Sequence, residues 1–162
     1  MGVRGATLGD VPRMLDLAAL KRRQYQEYSP MFWRPASEAR QSQRCFFERI
    51  ATSPESICLV HDVNGVVSGF IIATLVSPPP VYDPGGKVCK IDDFVVSEPS
   101  LWPTVGEALR KEAERRAKIE GAAVSITVCA QRDEGKRQAL LKSGSHVASE
   151  WYVRDIKVRV EK

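Results

Sequence analysis

The chain has 162 residues, 43% apolar and 27% charged, the composition of a globular protein long enough for one domain, residues 1–162, with a real core. No stretch approaches the roughly 20 apolar residues of a membrane span, and the opening MGVRGATLGD has no apolar signal-peptide core, so the expectation is a cytosolic protein without a membrane partner. The net charge of +4 comes from dispersed lysines and arginines, which argues against nucleic acid, and four cysteines without a C-x-x-C pair beside two histidines argue against a metal site and for buried, reduced thiols.

The first stretch, VRGATLGDVPRMLDLAALKRRQYQ, reads as a short strand followed by a helix. Asp10 is placed to cap that helix with its carboxylate, and Pro12 falls in the first turn, where a missing N–H costs little. Val11, Met14, Leu15, Ala18 and Ala19 recur at helical spacing and predict its buried stripe. The segment QEYSPMFWRPAS is too aromatic and too broken by proline to continue the helix. A second helix resumes in SEARQSQRCFFERIATS, its stripe formed by Ala39, Cys45 or Phe46, and Arg49 or Ile50. Two β-rich runs then flank Asn64-Gly65, a pair suited to the positive φ angles of a two-residue hairpin. SPPPVYDPGG cannot be a central strand, because proline has no N–H for the ladder, and is expected to be a surface loop. KVCKIDDFVV reads as a third meandering strand, and TVGEALRKEAERRAKIEG as a helix stopped by Gly121, with Val105, Ala108, Leu109, Ala113 and Ala117 facing inward. The near-continuous apolar run AAVSITVCA predicts a buried strand, RDEGKRQALLKSG a short helix, and HVASEWYVRDIKVRV one or two closing strands. This order, β-α-α-β-β-β-α-β-α-β, implies an α/β fold on a mixed sheet whose last crossover is parallel. Ligands enter such sheets where neighbouring strands diverge at their carboxyl ends.

The passage DDFVVSEPSLWPTVGEAL carries a strand into a helix. A helix amino end offers unpaired N–H groups and about half a positive charge to an anion. Here Gly106 permits close approach and Ser100 and Thr104 add hydroxyls, while Pro103 removes a donor and Trp102 adds bulk, so the grip on an anion should be weaker than usual or differently shaped. In the acid pair Asp92-Asp93, neighbours on a strand point to opposite faces, so one of the two looks into a shared cleft. Tyr25, Tyr28, Phe32, Trp33 and Arg34 after the first helix, with Tyr82 and Asp83 in the proline loop, furnish aromatic walls and a few charges suited to a small polar molecule. Arg34 suits a carboxylate, and Glu150 in the closing segment is a further candidate.

With ATLGDVPRMLDLA at its start and IDDFVV leading into a helix, the chain resembles the GNAT acetyltransferase superfamily over nearly its whole length. The resemblance implies a mixed, mostly antiparallel sheet of about six to seven strands flanked by about four helices, and an acyl-CoA-dependent N-acyltransferase, using acetyl-CoA, in which a small amine attacks the thioester directly. By that resemblance the backbone of Phe94, Val95 and Val96 holds the pantetheine arm. Leu101, Trp102, Thr104, Val105 and Gly106 receive the diphosphate, and Lys136 with Arg137 reaches the nucleotide 3′-phosphate. Asp92 is the implied base. The family often carries a general-acid tyrosine on the last helix, where this chain has Leu140; Tyr152 or Tyr82 is the substitute, and Trp33, Arg34, Tyr82, Asp83 and Glu150 line the amine pocket. The family signature Q/R-x-x-G-x-G/A reads here as Leu101-Trp102-Pro103-Thr104-Val105-Gly106, which puts leucine in the Arg/Gln position and threonine in the middle glycine position. These departures leave a second reading open, the same fold as a non-catalytic acyl-CoA or small-ligand sensor, or as a homodimerisation module.

Overall fold

A computed structural model describes residues 2–157. Five strands lie side by side in chain order: β1 (Gly2–Gly5), β2 (Ile57–Val63), β3 (Val66–Val76), β4 (Lys87–Val96) and β5 (Ala122–Thr127). The first four pair antiparallel, and β5 joins β4 in parallel after a helical crossover. Four helices, α1 (Val11–Tyr28), α2 (Ala39–Thr52), α3 (Glu107–Ile119) and α4 (Glu134–Lys142), accompany them. The expected mixed α/β sheet is therefore present, with five strands among the described residues rather than six or seven.

Strand alternation sorts the core into two layers. Cys58, Val60, Phe70, Ile72 and Val95 face Met14, Leu15, Leu17, Phe47 and Ile50 of α1 and α2. Leu59, Ile71, Ala73, Cys89, Ile91 and Phe94 face Leu109, Ala113 and Ala117 of α3. The α1 stripe includes Leu17 and Tyr25, with Ala19 only half-buried, and α2 is seated by Phe47 and Ile50 rather than Cys45, which is exposed. Cys58 and Cys89 are buried, and burial pushes their thiols up to about 12 and about 11. Asn64 (φ 54°) and Gly65 (φ 82°) form the hairpin turn between β2 and β3, and Gly121 (φ 94°) ends the α3 segment.

Asp10 does not cap α1 with its side chain. Its carboxylate takes two N–H bonds from the Arg4 guanidinium, at 2.8 and 2.9 Å, and one from the Thr7 amide at 2.8 Å. Arg4 also binds Asp62 at 2.7 Å, so one guanidinium ties β1, the start of α1 and the β2–β3 hairpin together. These bonds, chiefly from Arg4, hold the Asp10 carboxyl down at about 2.

Two irregularities shape the sheet around β4. Asp93 pairs with Ile72 while Ile91 pairs with Ala73, leaving Asp92 as the extra residue of a β-bulge. Ile91 and Phe94 consequently share the α3 face, and the expectation that Asp92 and Asp93 point to opposite faces does not hold, because the bulge resets the alternation. On its other edge β4 pairs with β5 only as far as Ile91↔Thr127, after which the Val128 amide donates to the Ile91 carbonyl at 3.0 Å and the two strands part.

The closing strands are not in the sheet. Residues 146–157 are exposed and without regular secondary structure, and the part of that expectation falling on 158–160 lies outside the described residues. β5 is consequently an edge strand, not a buried one. Val124, Ile126 and Val128 are 42%, 48% and 48% exposed, since among the described residues no strand flanks β5 on its outer side. Among the described residues no helix is long and apolar enough to cross a membrane.

Candidate functional site

The gap where β4 parts from β5 is lined by polar groups from four segments. α1 contributes Lys21 and Tyr25, β4 contributes Asp93, the turn after β5 contributes Cys129 and Asp133, and α4 contributes Lys136. The buried Tyr25 hydroxyl donates to Asp133 Oδ2 at 2.7 Å and accepts from the Ala130 amide at 3.4 Å. Asp133 also accepts the Lys136 amide at 3.5 Å, capping α4. Lys136, fully buried, donates from Nζ to the Phe94 carbonyl at 3.3 Å and lies over the rings of Phe94 and Trp102, 5.4 and 5.6 Å from their centroids.

These placements shift the titrations toward one another. Burial, reinforced by the Lys21 charge, lowers Lys136 to about 7. Burial raises the Asp93 carboxyl, with Asp92 adding to the effect and Lys21, Lys136 and Arg22 opposing it. Burial and the Asp133 carboxylate push the Tyr25 phenol far above its ordinary value. An acid raised and an amine lowered, each sensing the other's charge, mark this cluster as a candidate functional site.

The turn expected to receive an anion is filled by the protein itself. A one-turn helix at Pro99–Leu101 runs into a wider π-type turn at Trp102–Gly106 and then into α3. Pro99 and Pro103 have no N–H, and the amides of Leu101 and Trp102 are spent on the carbonyls of Glu98 (3.0 Å) and Pro99. The Trp102 ring is buried against two glycines. A Cβ on Gly106 would come within 2.6 Å of it and one on Gly135 within 3.0 Å, and its edge meets Phe94 at a centroid distance of 4.8 Å. What remains between Phe94, Trp102, Gly106 and Lys136 is a cavity of about 10 Å³, the space of a single water at most. Glu107 adds a carboxylate to the first turn of α3, partly neutralised by Arg110 at 2.8 Å. In this closed arrangement the residues do not fit a coenzyme diphosphate.

The structure brings some of the sequence candidates together and separates others. Phe94, Trp102, Gly106 and Lys136 meet around this cavity, Val105 instead packs toward Gly69 of β3, Leu101 lies against the same core and Thr104 is on the surface. Lys136 is an interior group, not a surface cation reaching outward, because α4 docks on the Trp102 turn. Val95 is buried in the opposite core layer and Val96 in the same layer as Phe94, both paired to β3. Asp92 is exposed and paired with Lys90 at 3.2 Å, while its carbonyl accepts Lys21 Nζ at 3.3 Å. The half-buried Asp93 is the carboxyl that belongs to the gap. Trp33 meets Tyr25 in a tilted contact at 5.0 Å and Phe32 edge-on at 5.0 Å, which extends an aromatic wall from α1, with Arg34 exposed. Tyr82 and Asp83 do not join this wall. Their loop roots at Gly86, against Gly121, six residues or about 20 Å along β4 from Asp92. Asp83 closes its own turn by accepting the Gly85 amide at 2.9 Å. Tyr152, 89% exposed, donates to Glu150 at 2.6 Å, and that carboxylate raises the phenol, making it a weaker acid. Sequence reasoning missed Tyr25–Asp133 and the interior role of Lys136; the available signal was Asp133, an N-cap residue type three positions before it. Among the described residues no cluster of His, Cys, Asp and Glu is grouped to hold a metal ion.

No protein-family model matches the sequence, and no curated protein matches it. Solved structures do resemble the fold. A mutant form of the BH1408 protein from Bacillus halodurans superposes with a TM-score of 0.84 at 15% identity, covering 97% of this chain and all of that one. A predicted acetyltransferase from Clostridium acetobutylicum, solved with acetyl-CoA, gives 0.71 at 15% identity over 95% of each chain. An aminoglycoside N-acetyltransferase in complex with CoA gives 0.67 at 12% identity over 96% of this chain and 94% of that one.

Proposed function

We propose that this chain, which has the GNAT acetyltransferase fold, is an acyl-CoA-dependent N-acyltransferase for a small amine, with a resting form that Trp102 holds closed. The observation that carries the reading is the parting of β4 from β5 beside Asp93, a half-buried carboxyl with a raised pKa. A carboxylate shifted upward takes a proton from a bound ammonium more readily near neutrality than an ordinary one. The aromatic wall suits such a cation, since the Lys21 ammonium already sits 5.3 Å from the centre of the Tyr25 ring. Asp93 is thus the base in this reading, in place of Asp92. Acetyl-CoA is the proposed acyl donor, and the cytoplasm the proposed location.

Opening the entrance has a cost that sets the expected affinity. Taking a buried tryptophan out of its pocket costs about 3–5 kcal/mol on the scale of truncations to alanine, which weakens coenzyme binding by roughly two to three and a half powers of ten. A second reading follows from the same residue: with Trp102 in the notch and Lys136 on the Phe94 carbonyl, the domain is a non-catalytic sensor or dimerisation module.

Thermal unfolding with and without millimolar acetyl-CoA, applied to the parent and to Trp102→Ala, tests coenzyme binding, and turnover separates a transferase from a sensor. The transferase reading expects a small shift for the parent and a larger one for the variant, since a ligand at a hundredfold its Kd adds about 2.7 kcal/mol. In a thiol-release assay over an amine panel, Asp93→Asn should lose on the order of 10²–10⁴ in turnover with coenzyme binding kept. A folded Trp102→Ala protein that is indifferent to coenzyme favours the non-catalytic module.

A further inference from the structure

The last turns of α1 carry Lys21, Tyr25 and Tyr28 along one face, at positions i, i+4 and i+7. The two tyrosine rings lie 5.6 Å apart, and each holds a cation of the chain. Lys21 Nζ sits 5.3 Å from the centre of the Tyr25 ring and donates to the Asp92 carbonyl, at the bulge of β4, at 3.3 Å. The Arg132 guanidinium sits 5.2 Å from the centre of the Tyr28 ring. Arg132 belongs to the turn that Tyr25 fastens from both sides, through the Ala130 amide and the Asp133 carboxylate. Two cations from distant parts of the sequence are thus held on one aromatic floor, and among the described residues neither has an ion-pair partner. Arginines of α2 and α4 do have partners: Arg40 binds Asp16 at 2.8 Å, and Arg137 lies 3.6 Å from Glu134. Two of the gap's three carboxyl groups are also committed. Asp92 pairs with Lys90, and Asp133 accepts the Tyr25 hydroxyl and the Lys136 amide. The half-buried Asp93 is the third, and among the described residues it makes no ion pair.

We infer that Lys21 and Arg132 form the seat of an anionic group, and that the amine accepted here carries a carboxylate close to its nitrogen, as an amino acid does. The inference rests on the acyl-transfer reading for the fate of the amine and narrows its substrate class, while the seat itself is measurable without an acyl donor. Lys21 links the two ends of such a molecule. Its ammonium stands at the Asp92 carbonyl, next in sequence to Asp93, and of the charges around the Asp93 carboxyl it is the one felt most. An ammonium on Asp93 and a carboxylate on Lys21 are therefore close together, the spacing of a compact zwitterion. Arg132 adds the planar fork that grips a carboxylate through paired N–H bonds, with the Tyr28 ring beneath to orient it. A diamine, whose far end is positive, meets repulsion from both cations instead.

Calorimetry on the full chain without coenzyme, using the protein amino acids and their carboxamides, reads the seat directly. At least one amino acid should bind more tightly than its own carboxamide, by roughly ten- to a hundredfold, the worth of a charge-assisted hydrogen bond. The aminophosphonate with the same side chain should bind no better than the amino acid. The acid-to-amide ratio should fall toward one in Lys21→Gln and in Arg132→Gln. It should persist in Lys21→Arg, which keeps the charge, so that a misfolded variant is not mistaken for a lost seat. A thiol-release assay then compares the same pairs with diamines of similar length. Turnover that favours carboxamides or diamines over amino acids overturns the inference and leaves the transferase reading standing. Amino-acid binding that depends on Lys21 and Arg132, with no turnover of any amine, keeps the seat and overturns the transferase reading. Preference for the aminophosphonate, a ratio unchanged in both charge-removing variants, or no binding of any amino acid would each overturn the carboxylate seat.

Discussion

Lys136 concentrates the tension of this molecule in one atom. Its ammonium is held inside the protein with one carbonyl bond and two aromatic faces in place of bulk water, and its pKa falls from 10.5 to about 7. In the unfolded chain the same amine titrates near its ordinary value. Between about pH 7 and pH 10.5 the unfolded state therefore binds a proton the folded state does not, and stability rises with pH through that window. Below pH 7 both states are charged and the whole penalty of burial is felt. Lys136→Met should accordingly stabilise the fold most below pH 7, with the advantage shrinking by about 1.4 kcal/mol for each pH step of one across the window, to a few kcal/mol less by pH 10. Urea unfolding of both proteins at pH 6, 8 and 10 checks this; a difference that does not change with pH would mean the ammonium is not desolvated. The sequence does not disclose the state of Lys136. A lysine in the first turn of a short charged helix ordinarily faces water, and its burial is decided by where α4 docks. Asp93 is equally hidden, because the bulge that turns it toward the gap leaves no residue-type signature in IDDFVV.

The turn from β4 to α3 is the element on which function depends. Its position is legible, since apolar alternation ends at Val96 and helical spacing begins at Val105, and so are the Asn64-Gly65 hairpin and the proline loop. What the sequence leaves undecided is whether Trp102 stands outside the notch or fills it. Gly106 answers this physically: its φ of −58° is ordinary helix, so no backbone strain requires glycine there. The requirement is space for the tryptophan ring. Alanine is the better helix former by about 1 kcal/mol, but a Cβ 2.6 Å from the ring forces an overpacking cost of about 1–3 kcal/mol. Gly106→Ala should therefore destabilise the parent, yet stabilise a Trp102→Ala background by up to ~1 kcal/mol. The coupling from this double-mutant cycle reports ring-to-glycine contact directly. A zero coupling would place Trp102 outside the notch and reopen the anion site.

At the scale of the whole molecule, the element order from β1 to α4 and the parallel crossover follow from hydrophobic periodicity and turn residues, and the structure contains both, while the expected closing strand is absent among the described residues. The sheet's far edge does not follow. A continuous apolar run reads alike for a strand flanked on both sides and for one whose second neighbour comes from elsewhere, so AAVSIT has the pattern of an interior strand while standing at an edge. The same ambiguity has an observable consequence in amide exchange. β2, β3 and the β3-paired edge of β4 lie in the middle of the sheet between two core layers, and their amides should exchange only through large-scale opening whatever the protein concentration. The amides on the outer edge of β5, and those of residues 146–157, have no sheet partner among the described residues and should exchange rapidly. Protection at these two places as high as in the central strands would mean that the segment pairs with β5 in solution, and fast exchange at both would mean that the edge stays open.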